Sequence, residues 1–109
     1  MLMIIGTPIG NVEDITVRAT NYLKDADLIA CEDTRSTKKL LRLLNIKTNG
    51  KLISYHDHNG PSVRPYLIEE LKKGKSVALV SDAGTPLISD PGYKLVDSCH
   101  QNNIRVSAI

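Results

Sequence analysis

The chain has 109 residues, 41% hydrophobic and 24% charged, with a formal net charge of +2. That is enough for one soluble domain with a real core, and so weak a basic balance permits a nucleic-acid partner without arguing for one. Two cysteines, Cys31 and Cys99, are too sparse for a disulfide scaffold; both lie in apolar stretches, where burial is the ordinary fate of a thiol. Neither Trp nor Phe is present, so the core must rest on Leu, Ile and Val. The N-terminal residues Met1-Leu2-Met3-Ile4-Ile5-Gly6 lack the basic start of a signal peptide, and no run approaches the roughly 18 apolar residues that span a bilayer. A cytoplasmic protein with no membrane partner is expected.

Residues 2–5 form an apolar run bounded by Gly6 and Pro8, hence a first strand. Asn11 offers a cap for a first helix, with Asp14 in its first turn. Ile15, Ala19, Tyr22, Leu23 and Ala26 then follow helical spacing and form one buried face. Leu28-Ile29-Ala30-Cys31 is a second buried strand. Asp33 or Thr34 caps a second helix, with Leu40, Leu41, Leu43 and Leu44 facing inward and Lys38, Lys39 and Arg42 outward. Residues 52–55 make a short third strand. In the third helix Pro65 is tolerated only within the first turn, Tyr66, Leu67 and Leu71 supply the apolar side, and Gly74 ends the helix. Strand four is 77–80. Ser89 or Asp90 caps a fourth helix with Pro91 at its first position and Leu95, Val96 and Cys99 inward, and 104–109 begin a fifth strand. The alternation predicts an α/β fold: an open, mostly parallel five-stranded sheet with helices on both faces. A strand running into the terminus suggests one domain of something longer.

Three familiar patterns fail. Gly74-Lys75-Ser76 resembles the tail of a phosphate-binding loop, but Glu69 stands where the first Gly is required and a strand follows instead of a helix. No GxGxxG is present. His56-Asp57-His58 lacks an evident third metal ligand and reads as a polar loop, so no metal is expected. What remains is a set of polar, turn-rich segments at the carboxyl ends of strands one to four: Thr7-Pro8-Ile9-Gly10-Asn11, Cys31-Glu32-Asp33-Thr34-Arg35, Tyr55-His56-Asp57-His58-Asn59, and 81–92. Each alone is a turn or a helix cap. Together they share the edge where open α/β sheets bind ligands. The segment 81–92 carries Asp82 and Asp90 and no Lys, which favours a cationic or neutral ligand over phosphate; a sulfonium methyl donor is one such ligand.

These residues also carry a resemblance. Thr7-Pro8-Ile9-Gly10-Asn11 with Glu13-Asp14-Ile15-Thr16, Cys31-Glu32-Asp33-Thr34-Arg35, and Ser81-Asp82-Ala83-Gly84-Thr85-Pro86-Leu87-Ile88-Ser89-Asp90-Pro91-Gly92 resemble signatures of the bacterial small-subunit ribosomal RNA cytidine 2′-O-methyltransferases. That family is a branch of the tetrapyrrole methylase superfamily. The resemblance runs over nearly the whole chain in the expected order. It implies an S-adenosylmethionine-dependent enzyme acting on a cytidine ribose of small-subunit ribosomal RNA, or on the assembled subunit. It further implies two α/β domains with the donor between them and a homodimer at full length. Residues 1–109 would then be the N-terminal domain, with the C-terminal domain absent from this chain. The donor site it implies comprises Pro8 and Ser81, Asp82, Ala83, Gly84, Thr85, Pro86, Leu87 and Ile88.

Methyl transfer to a ribose hydroxyl needs in-line positioning and a base for the departing proton. Glu32, Asp33 and His56 are the catalytic candidates, each at a strand end on the right edge. Arg35, His58 and Asn59, with the Lys38-Lys39-Arg42 face, are the candidates to meet RNA phosphates, the alternative for that face being a solvated helix surface. The rival readings are a methylase of a small tetrapyrrole and a non-catalytic binding domain of the same fold.

Overall fold

A computed structural model describes residues 1–6, 15–81 and 90–109. Its strands and helices alternate: β1 (Leu2–Gly6), α1 (Val17–Asp25), β2 (Leu28–Cys31), α2 (Thr34–Leu43), β3 (Lys51–Ser54), α3 (Gly60–Lys72), β4 (Val77–Ser81), α4 (Asp90–Gln101) and β5 (Val106–Ala108). The strands form one parallel sheet in the order β3-β2-β4-β1-β5. β2 is buried along its whole length and β4 along all but its last residue, as a sheet covered on both faces requires. One face carries Leu2, Leu28, Ala30, Val77 and Leu79 under α3 and α4. The other carries Met3, Ile5, Ile29, Ala78 and Val80 under α1 and α2. Cys99 and Cys31 fall in these separate cores, both fully buried, and no disulfide joins them. The expected fold class is present.

Several local expectations change. Thr16, not Asn11, caps α1: its hydroxyl accepts from the Ala19 N–H at 3.0 Å. The helix therefore starts at Val17, and Asn11 lies outside the described residues. Ala19, Leu23 and Ala26 are buried as expected, with Ile15 and Tyr22 packed beside them. Of the leucines in α2 only Leu41 is deeply buried, whereas Leu43 is 60% exposed, and Thr37, 1% exposed, takes an inward position. Four leucines within five residues cannot share one face of a helix of 3.6 residues per turn; the buried line is Thr37, Leu41 and the partly buried Leu44.

α3 begins five residues before Pro65, so this proline stands in the second turn, and Pro61 occupies the early position that suits the residue. Pro65 is exposed, and water can take up the carbonyl that its missing N–H leaves unpaired. Tyr66 is 40% exposed and Ile68 replaces it in the core. The predicted Gly74 terminus is correct. Gly74 adopts φ +89°, its N–H bonds the Leu71 carbonyl, and the Lys75 N–H bonds that of Glu70, closing a Schellman motif. β3 ends at Ser54, one residue before Tyr55, whose N–H still bonds the Cys31 carbonyl of β2 at 2.8 Å, and β5 is confined to 106–108.

The connections locate the functional edge. α1 carries the chain from β1 past β4 to β2 on one face, and α4 carries it from β4 past β1 to β5 on the other. β1 and β4 are neighbours whose successors leave in opposite directions, the topology at whose carboxyl ends open α/β sheets bind ligands.

Candidate ligand-binding cleft

Gly6 and Ser81 are register partners at the ends of β1 and β4, so the chain leaves the two central strands side by side. Pro8, and Asp82 through Ile88, fall in segments outside the described residues. Ser81, the last residue of β4, is placed at the cleft with Leu79 and Val80 beneath it. Glu32 follows β2, Tyr55 follows β3, and Pro91 and Gly92 in the first turn of α4 complete the described wall. The concavity among the described residues is small, about 20 Å³, room for about one water molecule.

Tyr55 holds this wall together. Its ring is 2% exposed. Its hydroxyl donates to the Pro91 carbonyl at 2.5 Å and accepts from Arg64 Nη1 at 3.0 Å. The start of α4 is thereby tied to the end of β3. Burial raises the phenol above its ordinary value of 10.0, against the opposing influence of the Arg64 guanidinium, so the hydroxyl remains a donor throughout the neutral range. The sequence reading placed Tyr55 in a strand and missed this role. The available signal was an aromatic ring with a polar tip at a strand's carboxyl end.

The catalytic candidates have different surroundings. Asp33 is the N-cap of α2: Oδ1 accepts from the Arg35 N–H at 2.9 Å and Oδ2 from the Ser36 hydroxyl at 3.4 Å. That backbone bond, with the nearby Arg35 charge, holds its carboxyl below the usual 3.8. His56 Nδ1 accepts from the backbone N–H groups of His58 at 3.2 Å and Asn59 at 3.3 Å. A neutral imidazole that accepts through Nδ1 carries its hydrogen on Nε2. Glu32 is exposed at the cleft mouth and makes no hydrogen bond or ion pair among the described residues.

The substrate candidates divide likewise. Asn59 is spent on the fold, its Oδ1 accepting from the His56 N–H and its Nδ2 donating to the Ser54 carbonyl, each at 2.8 Å. His58 is exposed and meets the His56 ring edge-on at 5.9 Å. Arg35 is 91% exposed with Nε 3.6 Å from Asp33, a contact that water weakens. Among the described residues no three His, Cys, Asp or Glu side chains converge as metal ligands, and no helix is long and apolar enough to cross a membrane.

The described lining carries one carboxylate, that of Glu32, and neither Lys nor Arg.

Comparison with known proteins agrees with the fold and the motifs. The family model for Tetrapyrrole (Corrin/Porphyrin) Methylases matches residues 1–109. The chain is 55% identical over 108 residues to "Ribosomal RNA small subunit methyltransferase I" of Halalkalibacterium halodurans, covering 99% of this chain and 37% of that protein. It is 52% identical over 105 residues to the protein so named from Escherichia coli O157:H7, covering 96% and 36%. The chain thus spans well under half the length of these relatives. Among solved structures, uroporphyrin III C-methyl transferase from Thermus thermophilus superposes with a TM-score of 0.73 at 17% identity, covering 99% of this chain and 47% of that one. A diphthine synthase does so with 0.74 at 18%, covering 100% and 43%. At such identities the structural likeness speaks for the fold alone.

Proposed function

From a chain that belongs to the tetrapyrrole (corrin/porphyrin) methylase family, we propose the donor-binding N-terminal domain of an S-adenosylmethionine-dependent methyltransferase that modifies a cytidine ribose 2′-hydroxyl in small-subunit ribosomal RNA. The observation that carries this reading is the 55% identity over 108 residues to a protein named as a small-subunit ribosomal RNA methyltransferase. The relatives' greater length supports a second domain, and the reading extends to a cytoplasmic homodimer at full length.

When bound, S-adenosylmethionine supplies a methyl group on a positively charged sulfur. Gly6, Ser81 and the start of α4 form the described part of its seat, together with Pro8 and residues 82–88. Most of the rate arises from alignment: holding two reactants in line contributes roughly 7–11 kcal/mol. A base adds a further ~10²–10⁴-fold. We assign that base to Glu32. Asp33 is committed to capping α2 and is held low, and His56 presents its accepting nitrogen to two backbone N–H groups. Glu32 stands at the cleft without a competing partner among the described residues. Tyr55 acts on the site by fixing Pro91, not by touching the reacting atoms.

The test uses the full-length protein with S-adenosylmethionine labelled in its methyl group and small-subunit RNA. Transfer of label to a ribose 2′-oxygen is expected. Label on a tetrapyrrole but never on RNA would refute the substrate, and absence of transfer to any acceptor would refute the enzyme.

A further inference from the structure

The charge of this chain is unevenly distributed. Fourteen Lys and Arg stand against twelve Asp and Glu. Four of those cations, Arg35, Lys38, Lys39 and Arg42, lie within the ten residues of α2, which hold no acid at all. The other 99 residues therefore carry a net −2, since +2 minus +4 leaves −2. The remaining helices mix their charges. Arg18 and Lys24 of α1 accompany Asp25, Arg64 and Lys72 of α3 accompany Glu69 and Glu70, and Lys94 of α4 accompanies Asp97.

The spacing 35, 38, 39, 42 puts all four cations within about 100° of the helix circumference, in a stripe about 10 Å long. All four are exposed, while Thr37 and Leu41 hold the opposite side against the sheet. The only described anion that touches the stripe is Asp33, through the solvent-exposed Arg35 contact at 3.6 Å. Solvation alone does not require a cationic face free of acids, because mixed charges solvate a helix equally well and add i,i+4 support. Position gives the stripe its meaning. It starts three residues after Glu32, at the mouth of the cleft, and runs down the outer side of α2 away from it.

We propose that this face of α2 is a phosphate-docking rail for the RNA, which it holds along the strand beside the nucleotide presented to the cleft. The proposal rests on the RNA reading above and adds the surface that RNA uses. The backbone of a nucleic acid is the polyanion that fits, because several successive phosphates meet several successive cations. Each contact contributes affinity without base specificity and disappears in salt.

The experiment is a salt series of RNA binding by the full-length protein, comparing wild type with the triple variant Lys38→Gln/Lys39→Gln/Arg42→Gln. Each lost phosphate contact lowers the slope of log K against log salt by about 0.7–0.9, so a decrease of about 2–3 is expected. Affinity for S-adenosylmethionine and the thermal midpoint should stay at wild-type values, and Lys38→Arg/Lys39→Arg/Arg42→Lys should retain the wild-type slope. An unchanged slope in the glutamine variant, with wild-type RNA binding intact, would overturn the rail alone. A wild type that binds S-adenosylmethionine but no RNA would overturn the RNA reading and the rail with it.

Discussion

The two edges of the sheet use polar residues in opposite ways. At the amino edge they are consumed by the fold. Asp27 Oδ2 accepts from the Ser76 N–H at 2.8 Å and from its hydroxyl at 3.2 Å, while the Asp27 N–H bonds back to the Ser76 carbonyl at 3.0 Å. Thr48 donates to the Leu23 carbonyl at 2.6 Å and accepts from the Gly50 N–H at 3.0 Å. A Cβ on Gly50 would stand 2.7 Å from the Ala26 carbonyl oxygen. The carboxyl edge is built around a cleft: Tyr55, Asp33 and Asn59 brace it, and Glu32 is left with no described partner at its mouth. One edge is closed by reciprocal bonds, and the other is braced around an open space. Stability is therefore expected to reside at the first and ligand chemistry at the second.

Substitutions can break that division. The largest effect is expected from Glu32→Gln at full length, which should slow methyl transfer by roughly 10²–10⁴-fold and leave stability within about 0.5 kcal/mol. Single-turnover rates and thermal melts check both halves; an undiminished rate would remove Glu32 as the base. Next, Gly50→Ala should cost about 2–3 kcal/mol through its backbone clash, while the folded fraction binds S-adenosylmethionine normally. Tyr55→Phe bridges the two behaviours. It strands Arg64 and the Pro91 carbonyl, costing about 1–2 kcal/mol, and it should also weaken donor binding by loosening the start of α4. A stability loss without any affinity loss would make Tyr55 a purely structural residue.

The smallest effect concerns pH. The Asp33 carboxyl is depressed below 3.8 in the folded chain. Its stabilisation of α2 is therefore complete above that value and is lost as pH falls through the depressed one. The advantage of wild type over Asp33→Asn, which keeps a capping oxygen but does not titrate, should shrink on acidification below 3.8. Melts across that range read it directly.

The braced edge also marks where sequence reading succeeds and where it stops. Strand order aside, the alternation of buried runs and helical spacing announced the sheet, because Leu28 to Cys31 and Val77 to Val80 can be little else than doubly covered strands. Asp33 and Gly74 were legible because capping and positive φ belong to residue type. The α1 start was not: Asn11 and Thr16 are both competent caps by residue type, which does not choose between them. Leu43 was misplaced because four leucines compete for two inward positions. Glu70, 8% exposed, was invisible as a buried acid because its partners Lys73 and Lys75 are ordinary surface residues until the turn after α3 brings them to 3.6 and 3.0 Å. In the site, the roles of His56 and Tyr55 depend on where Nδ1 and the hydroxyl point, which residue type does not encode. The expectations at Pro8 and at Asp82 through Ile88 lie outside the described residues and stand as proposals.

The carboxyl edge of the sheet, where β1 and β4 end side by side, is the proposed seat of a methyl donor. Calorimetric titration of the full-length protein with S-adenosylmethionine, comparing wild type, Asp82→Ala and Gly50→Ala, tests it most directly. Wild type is expected to bind, the folded fraction of Gly50→Ala to bind with wild-type affinity, and Asp82→Ala to bind more weakly with stability kept within about 1 kcal/mol. No binding heat from the wild type, or an Asp82→Ala protein that binds as tightly as wild type, would contradict it.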